Sequence, residues 1–389
     1  MEQSVFSKIE KIEGKFGFSD FFKNIPDHRL ERKKLHLVEE ILFLALCGVI
    51  ANCSSWEDIE LFGKKRLIFL RGYLPYKNGI PSDDTLRRFF RVLDPKAFEE
   101  KFRKWVTSFQ YNLAEKVVAI DGKTLRHSFD GEISAIHLVS AFLSEEKIVL
   151  GQEKVAGKSN EITAIPELID TLDLKGAIVT IDAMGTQHAI ANKIIEKEAN
   201  YVLALKGNQS SLVDDVKEIF VNYKAQLDIF EDIDSGHGRI ETRECTVISD
   251  PEWMKWLKAE RPEWNSIKSV IKIRSIFEIK GKVTTEERFY IASLVTPAKK
   301  LSNAVRKHWG VESMHWILDV TFGDDQSRVR KGNAPQNMAV IKKSALNLLK
   351  IIKKKFPRID GVRTSIARLR KIAAWDEKWL MDIINTSAV

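Results

Sequence analysis

The chain has 389 residues, more than one compact domain usually holds, and its 44% hydrophobic and 30% charged content excludes a disordered or fibrous protein in favour of two or three folded units. Three cysteines, Cys47, Cys53 and Cys245, with no CxxC pair, exclude a disulfide framework and a zinc knuckle and fit a reducing cytoplasm. The formal charge of +8 is uneven: residues 300–389 carry 18 Lys+Arg against 8 Asp+Glu, a net of +10 that leaves −2 for the rest, which fits a polyanion partner or a solvated basic surface.

The N-terminal segment MEQSVFSKIEKIEGKFG contains acids and no uninterrupted apolar stretch, so no secretory signal is expected. The apolar run 41–51, ILFLALCGVIA, is far short of the ~20 residues needed to cross a bilayer and predicts a buried helix. WEDIELFGKKRLIFLR predicts another, and 83–106 a third. Pro81 and Ser82 or Asp83 are placed to start the third, with Leu86, Phe89, Phe90 and Leu93 on one face. The expectation is a separate helical domain over 1–115.

From Lys116 the texture changes. KVVAIDG, AIHLVSAF and KIVLGQEKV read as strands, followed by a helix at 161–172. AIVTIDAMG is a further strand, 187–198 a helix and YVLALKG a strand, an alternation that predicts the α/β class with a mixed sheet. Residues 208–295 read as an insertion, with strand-like RIETRECTVI, SVIKIRSIFEI and RFYIASL. Helices are expected at 302–320 and 337–355, with the basic loop SRVRKGN between them and a helical tail over 356–389. The segment GQEKVAGKS resembles a phosphate-binding loop but has five residues between its glycines where four are required, so ATP use is not expected.

Asp121 and Asp182 close the apolar strands VVAID and IVTID, where open α/β sheets present side chains to ligands. Each has a plainer alternative, Asp121-Gly122 as a hairpin turn and Asp182 as a helix cap. On an ideal helix His308, Glu312, His315 and Asp319 fall within about 60° of one another. Trp309, Trp316 and Val320 cluster about 80° further round, an apolar stripe expected to pack. Gly310 marks a close approach or the helix start. That polar face is open to three readings: a metal-competent site, a solvated surface with a His–Glu pair, or a zinc site of His308, Glu312 and His315. Three carboxylates suit phosphodiester chemistry, because Mg²⁺ prefers oxygen ligands and two such ions stabilise the entering and leaving oxygens.

VVAIDGKTLRHS, IVTIDAMGTQ, YVLALKGNQ, and HWGVESMHWILDVTFGDD followed by SRVRKGNAPQN resemble, in order, the DDE transposases of bacterial insertion sequences, in the ISAs branch that includes the H-repeat-associated proteins. NGIPSDDTLRRFF and SSWEDIELFGKK resemble the helical domain that accompanies them, so the likeness spans nearly the whole chain and implies DNA binding by the helical domain over 1–115. The resemblance implies an RNase H-like catalytic domain over 116–355 with the β-rich insertion at 208–295. It implies Asp121, Asp182 and Glu312 as catalytic residues and metal ligands, with two Mg²⁺ ions for which Mn²⁺ can substitute. The implied function is DNA transposition: cleavage at element ends and transfer of the 3′-hydroxyl into target DNA.

Val305, His308 and Asp319 stand where the wider superfamily has Tyr, Arg and Lys, so the phosphate contacts of that signature do not carry over. Cationic DNA contacts are expected instead at Arg328, Arg330, Lys331, Lys342 and Lys343. The expected partner is double-stranded DNA at element ends and target, with no membrane, a homodimer as the candidate synaptic assembly, and the bacterial cytoplasm as the compartment. Two rival readings stay open: a catalytically idle DNA-binding relic and a zinc-dependent hydrolase.

Overall fold

The computed structural model describes residues 22–129, 134–156, 161–236 and 239–386. The N-terminal segment read for a secretory signal and the end of GQEKVAGKS lie outside the described residues.

The apolar run forms helix α1, Val38–Ile50, buried along nearly its whole length, as a helix that is hydrophobic all round must be. Its buried Glu40 is fully engaged: the carboxylate accepts the Leu37 N–H at 3.0 Å and the Tyr76 N–H at 2.6 Å. Helix α2, Trp56–Lys65, starts on a reciprocal cap between Ser55 and Asp58, and the short α3, Leu67–Arg71, follows. Ser82 caps α4, Asp83–Val92, which buries Leu86, Phe89 and Phe90.

The predicted single helix 83–106 is two. The residue before a proline is biased away from helical conformation, and Asp94-Pro95 breaks the run. Asp94 then caps α5, Pro95–Thr107, by accepting the Lys96 N–H at 2.9 Å, with the proline at the first helical position where its missing N–H costs nothing.

Strands β1, Val117–Thr124, β2, His137–Leu143, and β3, Ile148–Lys154, form an antiparallel ladder. Helix α6, Glu161–Asp170, leads to β4, Ile178–Ile181, and α7, His188–Glu196, to β5, Asn200–Leu205. Strands β1, β4 and β5 are parallel neighbours. This order, β3-β2-β1-β4-β5, is the RNase H-like arrangement.

The residues expected as an insertion do not fold apart from this sheet. After α8, Ser210–Asn222, come β6, Asp228–Gly236, and β7, Arg239–Ile248; then α9, Pro251–Glu260, β8, Ser269–Ile279, and β9, Lys282–Ala292. Strand β9 pairs antiparallel with β5, Val202 opposite Ala292, so the four added strands extend the sheet to nine.

Helix α10, Ala298–His308, is followed by α11, Gly310–Trp316, and a π-helical turn, Ile317–Thr321. Helix α12, Ala334–Lys355, is buried from Ala334 to Leu349 because it is packed between β3 on one side and α1, α4 and α5 on the other. It therefore joins the helical segment to the sheet. A small hairpin of β10, Arg358–Ile359, and β11, Val362–Arg363, leads to α13, Ile366–Trp375, and α14, Glu377–Ile384, which pack back on α1 and α12. Among the described residues no helix is long and apolar enough to cross a membrane.

Candidate active site

Asp121 lies inside β1, not in a turn: it faces Ser140 of β2, one residue beyond the last β1–β4 pair, Ile120 opposite Ile181. Asp182 directly follows β4. It does not cap α7, whose flanking residue is Gln187; its Oδ1 instead accepts the Gly185 N–H at 3.2 Å. The parallel pairing of β1 and β4 thus brings the two aspartates side by side just past the last β1–β4 pair, although β1 itself runs on to Thr124. Glu312, exposed on α11, completes the set. All three line one cleft of about 620 Å³, together with Lys206, Lys217, Arg288, His308 and Trp309.

The polar face predicted around Glu312 is turned to the sheet. His308 Nδ1 lies 3.0 Å from Thr180 Oγ1 of β4, His315 Nδ1 lies 3.5 Å from Asp121 Oδ2, and Asp319 pairs with Lys123 of β1. Only Glu312 remains exposed, which excludes a solvated surface for the other three. The zinc arrangement is not formed, since His308 and His315 turn to different strands. Burial lowers the pKa of His308 against the pull of Asp182, and burial with the nearby Lys343 and Lys123 cations pushes His315 down to about 3. Both imidazoles are neutral at ordinary pH.

The expected apolar stripe is corrected. Trp309, Trp316 and Val320 are 46%, 61% and 61% exposed, whereas Val311, Met314 and Leu318, spaced three and four apart, are buried. Gly310 starts α11 and also lies close to β2, since a Cβ there would stand 3.3 Å from the Phe142 ring.

Asp121 has its pKa raised to about 7, first by burial and then by the charges of Glu161, Asp182 and Glu312, against the hydrogen bond from the Gly122 N–H. Glu161, at the start of α6, escaped sequence reasoning. Its Oε1 is 2.6 Å from His137 Nε2, and His137 Nδ1 is 2.8 Å from Thr124 Oγ1. The signal was Gly122: a Cβ there would come within 2.1 Å of Glu161 Oε1 and 2.4 Å of His137 Nε2, so only glycine leaves room for this pair beside Asp121.

These residues fit a divalent cation by chemistry. They are hard oxygen donors, and a cation between them relieves both the burial and the mutual repulsion that raise Asp121. Among the described residues, no three acidic, His or Cys side chains close around one ion-sized point, so the carboxylates must draw together to hold one.

The expected DNA contacts divide. Arg328 and Lys331 are exposed and Arg330 is partly so. Lys342 and Lys343 are corrected: both are buried because α12 is packed on both sides. Lys342 pairs with Asp324 at 2.5 Å, and Lys343 Nζ donates to Ser140 Oγ at 2.8 Å and Gln152 Oε1 at 2.7 Å. Lys343 braces β2 behind Asp121, whereas Lys342 is tied to Asp324 at the floor of a second cleft.

Residues 112–348 match the family described as "Transposase DDE domain", and residues 19–106 match "DDE_Tnp_1-associated". The chain is 41% identical to "Putative transposase YncI" of Escherichia coli O157:H7, covering 94% of this chain and 93% of that one. It is 38% identical to "H repeat-associated putative transposase YhhI" of Escherichia coli strain K12, covering 94% and 97%. A solved structure, "Cryo-EM structure of piggyBac transposase synaptic complex with hairpin DNA (SNHP)", aligns with a TM-score of 0.42 and 12% identity over 96% of this chain and 79% of that one. The family assignment rests on the sequence matches alone.

Proposed function

The chain belongs to the transposase DDE-domain family, whose members use divalent metal ions, and from that premise we propose that Asp121, Asp182 and Glu312 form the catalytic centre of a DNA-cutting and DNA-joining enzyme. The observation that carries this is convergence: carboxylates from β1, from the end of β4 and from α11 line one cleft, and the half-buried Asp121 is raised to about 7 by burial and by its acidic neighbours. The same three residues would hold the cation, Mg²⁺ with Mn²⁺ as substitute and two ions in all; bound there, it supplies Lewis-acid stabilisation of the entering and leaving oxygens.

The chain's own residues prepare that chemistry. Strand pairing fixes Asp121 and Asp182, while neutral His308 and His315 dock α10 and α11 on β4 and β1 and add no competing charge. Lys206, Lys217 and Arg288 line the cleft, where cations meet phosphate. In the cleavage step, water oxygen bonds to phosphorus and loses a proton as the P–O3′ bond breaks, and the departing O3′ takes a proton to become a hydroxyl. In the joining step that hydroxyl attacks a target phosphodiester, forming one P–O bond and releasing the target's own O3′. Arg328, Arg330 and Lys331 serve as backbone contacts to duplex DNA, and the helical segment 1–115 as part of its binding surface.

The test is nicking of a duplex carrying the element's own ends, with Mg²⁺ or Mn²⁺. Wild type should nick, and Asp121→Asn, Asp182→Asn and Glu312→Gln should bind the duplex without cutting it. Cutting at the wild-type rate by any of the three would remove that residue from the centre; no cutting by wild type would favour the idle relic.

A further inference from the structure

A second cleft, of about 740 Å³, lies between the helical segment and the catalytic domain and is lined by α4 on one side and the loop 326–331 on the other. Arg88 and Arg91 come from α4; Arg328, Arg330 and Lys331 come from the loop. Its two acidic lining residues, Glu57 and Asp84, are already paired with Arg87, at 2.8 and 2.9 Å. Arg91 and Arg328 are exposed and have no carboxylate partner among the described residues.

The two rims are fixed to each other. Asn333 donates its N–H to Arg91 O at 3.1 Å and its side-chain amide to Leu93 O at 3.2 Å. Gly332, at φ +58°, allows this approach, since a Cβ would stand 2.8 Å from Arg91 O. Arg330 is held in place by donating to His127 O at 3.1 Å and lying 5.0 Å from the Phe129 ring centroid. Guanidinium groups on facing rims whose backbones are fixed to each other have no carboxylate to give up on binding, and their fork geometry suits phosphate oxygens. None of the large apolar residues lining the cleft is exposed, so it lacks the apolar anchors that a protein partner would use.

We propose that this cleft grips the sugar–phosphate backbone of duplex DNA, with Arg91 and Arg328 as phosphate contacts from the two domains. The proposal rests on the transposase reading and adds to it a site at which the helical segment and the catalytic domain hold one duplex together. Recognition here is of the backbone and carries no base sequence.

The test uses the full chain in EDTA, so that nothing is cut, and the fluorescence anisotropy of a labelled duplex of arbitrary sequence measured across a salt series. Each phosphate contact contributes about 0.9 to the slope of log K against log salt, so Arg91→Gln/Arg328→Gln should lower the slope by about 1.8, and each single variant by about 0.9. The Arg→Lys pair should keep the slope, which separates lost charge from lost fold. An unchanged slope in a variant that melts like wild type overturns the proposal. So does loss of poly-glutamate binding with duplex binding intact, which would mark an acidic protein as the occupant. Nicking with an unchanged slope sinks the cleft alone, whereas a lowered slope in a protein that never nicks keeps the cleft and sinks the chemistry.

Discussion

At Asp121, burial and three neighbouring carboxylates have a consequence that can be measured without DNA. A carboxyl whose folded pKa, about 7, exceeds its ordinary value of 3.8 adds stability that is present below the ordinary value and lost as pH rises through 7. The metal-free protein should therefore lose more thermal stability between pH 4 and 7 than Asp121→Asn does. Because cation and proton compete for the same oxygens, Mg²⁺ affinity should rise with pH and level off above about 7; calorimetric titration at several pH values checks this. Gly122 is the second decisive residue. Gly122→Ala places a methyl against Glu161 and His137 and should cost about 1–3 kcal/mol, read from denaturant unfolding.

Among the elements, the α10–α11–π segment shows how much of the site was legible. The spacing of His308, Glu312, His315 and Asp319 gave their common face, because helical periodicity is a local property. The buried stripe was misread. Two tryptophans outweigh Val311, Met314 and Leu318 in bulk, but which face is covered depends on the strands beneath, and sequence periodicity does not report that. Met314→Ala should therefore cost about 2–5 kcal/mol and Trp316→Ala within about 0.5, a contrast that thermal melts resolve. Lys342 and Lys343 were misread for a related reason. A basic helix reads as surface until a second layer of helices packs on it, and the groups that satisfy these lysines, Asp324, Ser140 and Gln152, come from the loop before α12 and from strands β2 and β3. Asp182 follows its apolar strand as the sequence suggests, and Asp121 closes the apolar part of β1 although the strand runs on to Thr124, whereas Glu161 reaches the site only through tertiary packing.

Across the whole molecule, a buried polar chain ties the helical segment to the sheet. Glu99 of α5 accepts from Gln152 of β3 at 2.7 Å and from Gln336 of α12 at 2.9 Å, and Gln152 accepts from Lys343. Burial raises the Glu99 pKa to about 7, so its stabilising protonated form is lost as pH rises through 7. Glu99→Gln should flatten the fall in stability between about pH 4.5 and 7 while leaving the fold intact; an unchanged or steeper fall in that window would contradict the assignment. Asn337 donates to Phe90 O and Leu93 O, each at 3.0 Å, and Asn337→Ala should cost about 1–3 kcal/mol by taking this donor from Phe90 O, while Leu93 O keeps the Asn333 amide. A single fold that holds three distant chain segments to one cleft makes a claim about their unity, and residues that act as a unit have effects that do not multiply. The most direct test is the Mg²⁺-dependent nicking rate of Asp121→Asn, Asp182→Asn, Glu312→Gln and the triple variant on one duplex. Each single variant should fall by about a thousandfold or more, with the triple no slower than the slowest single; a single variant at the wild-type rate, or losses that multiply, would contradict a shared centre.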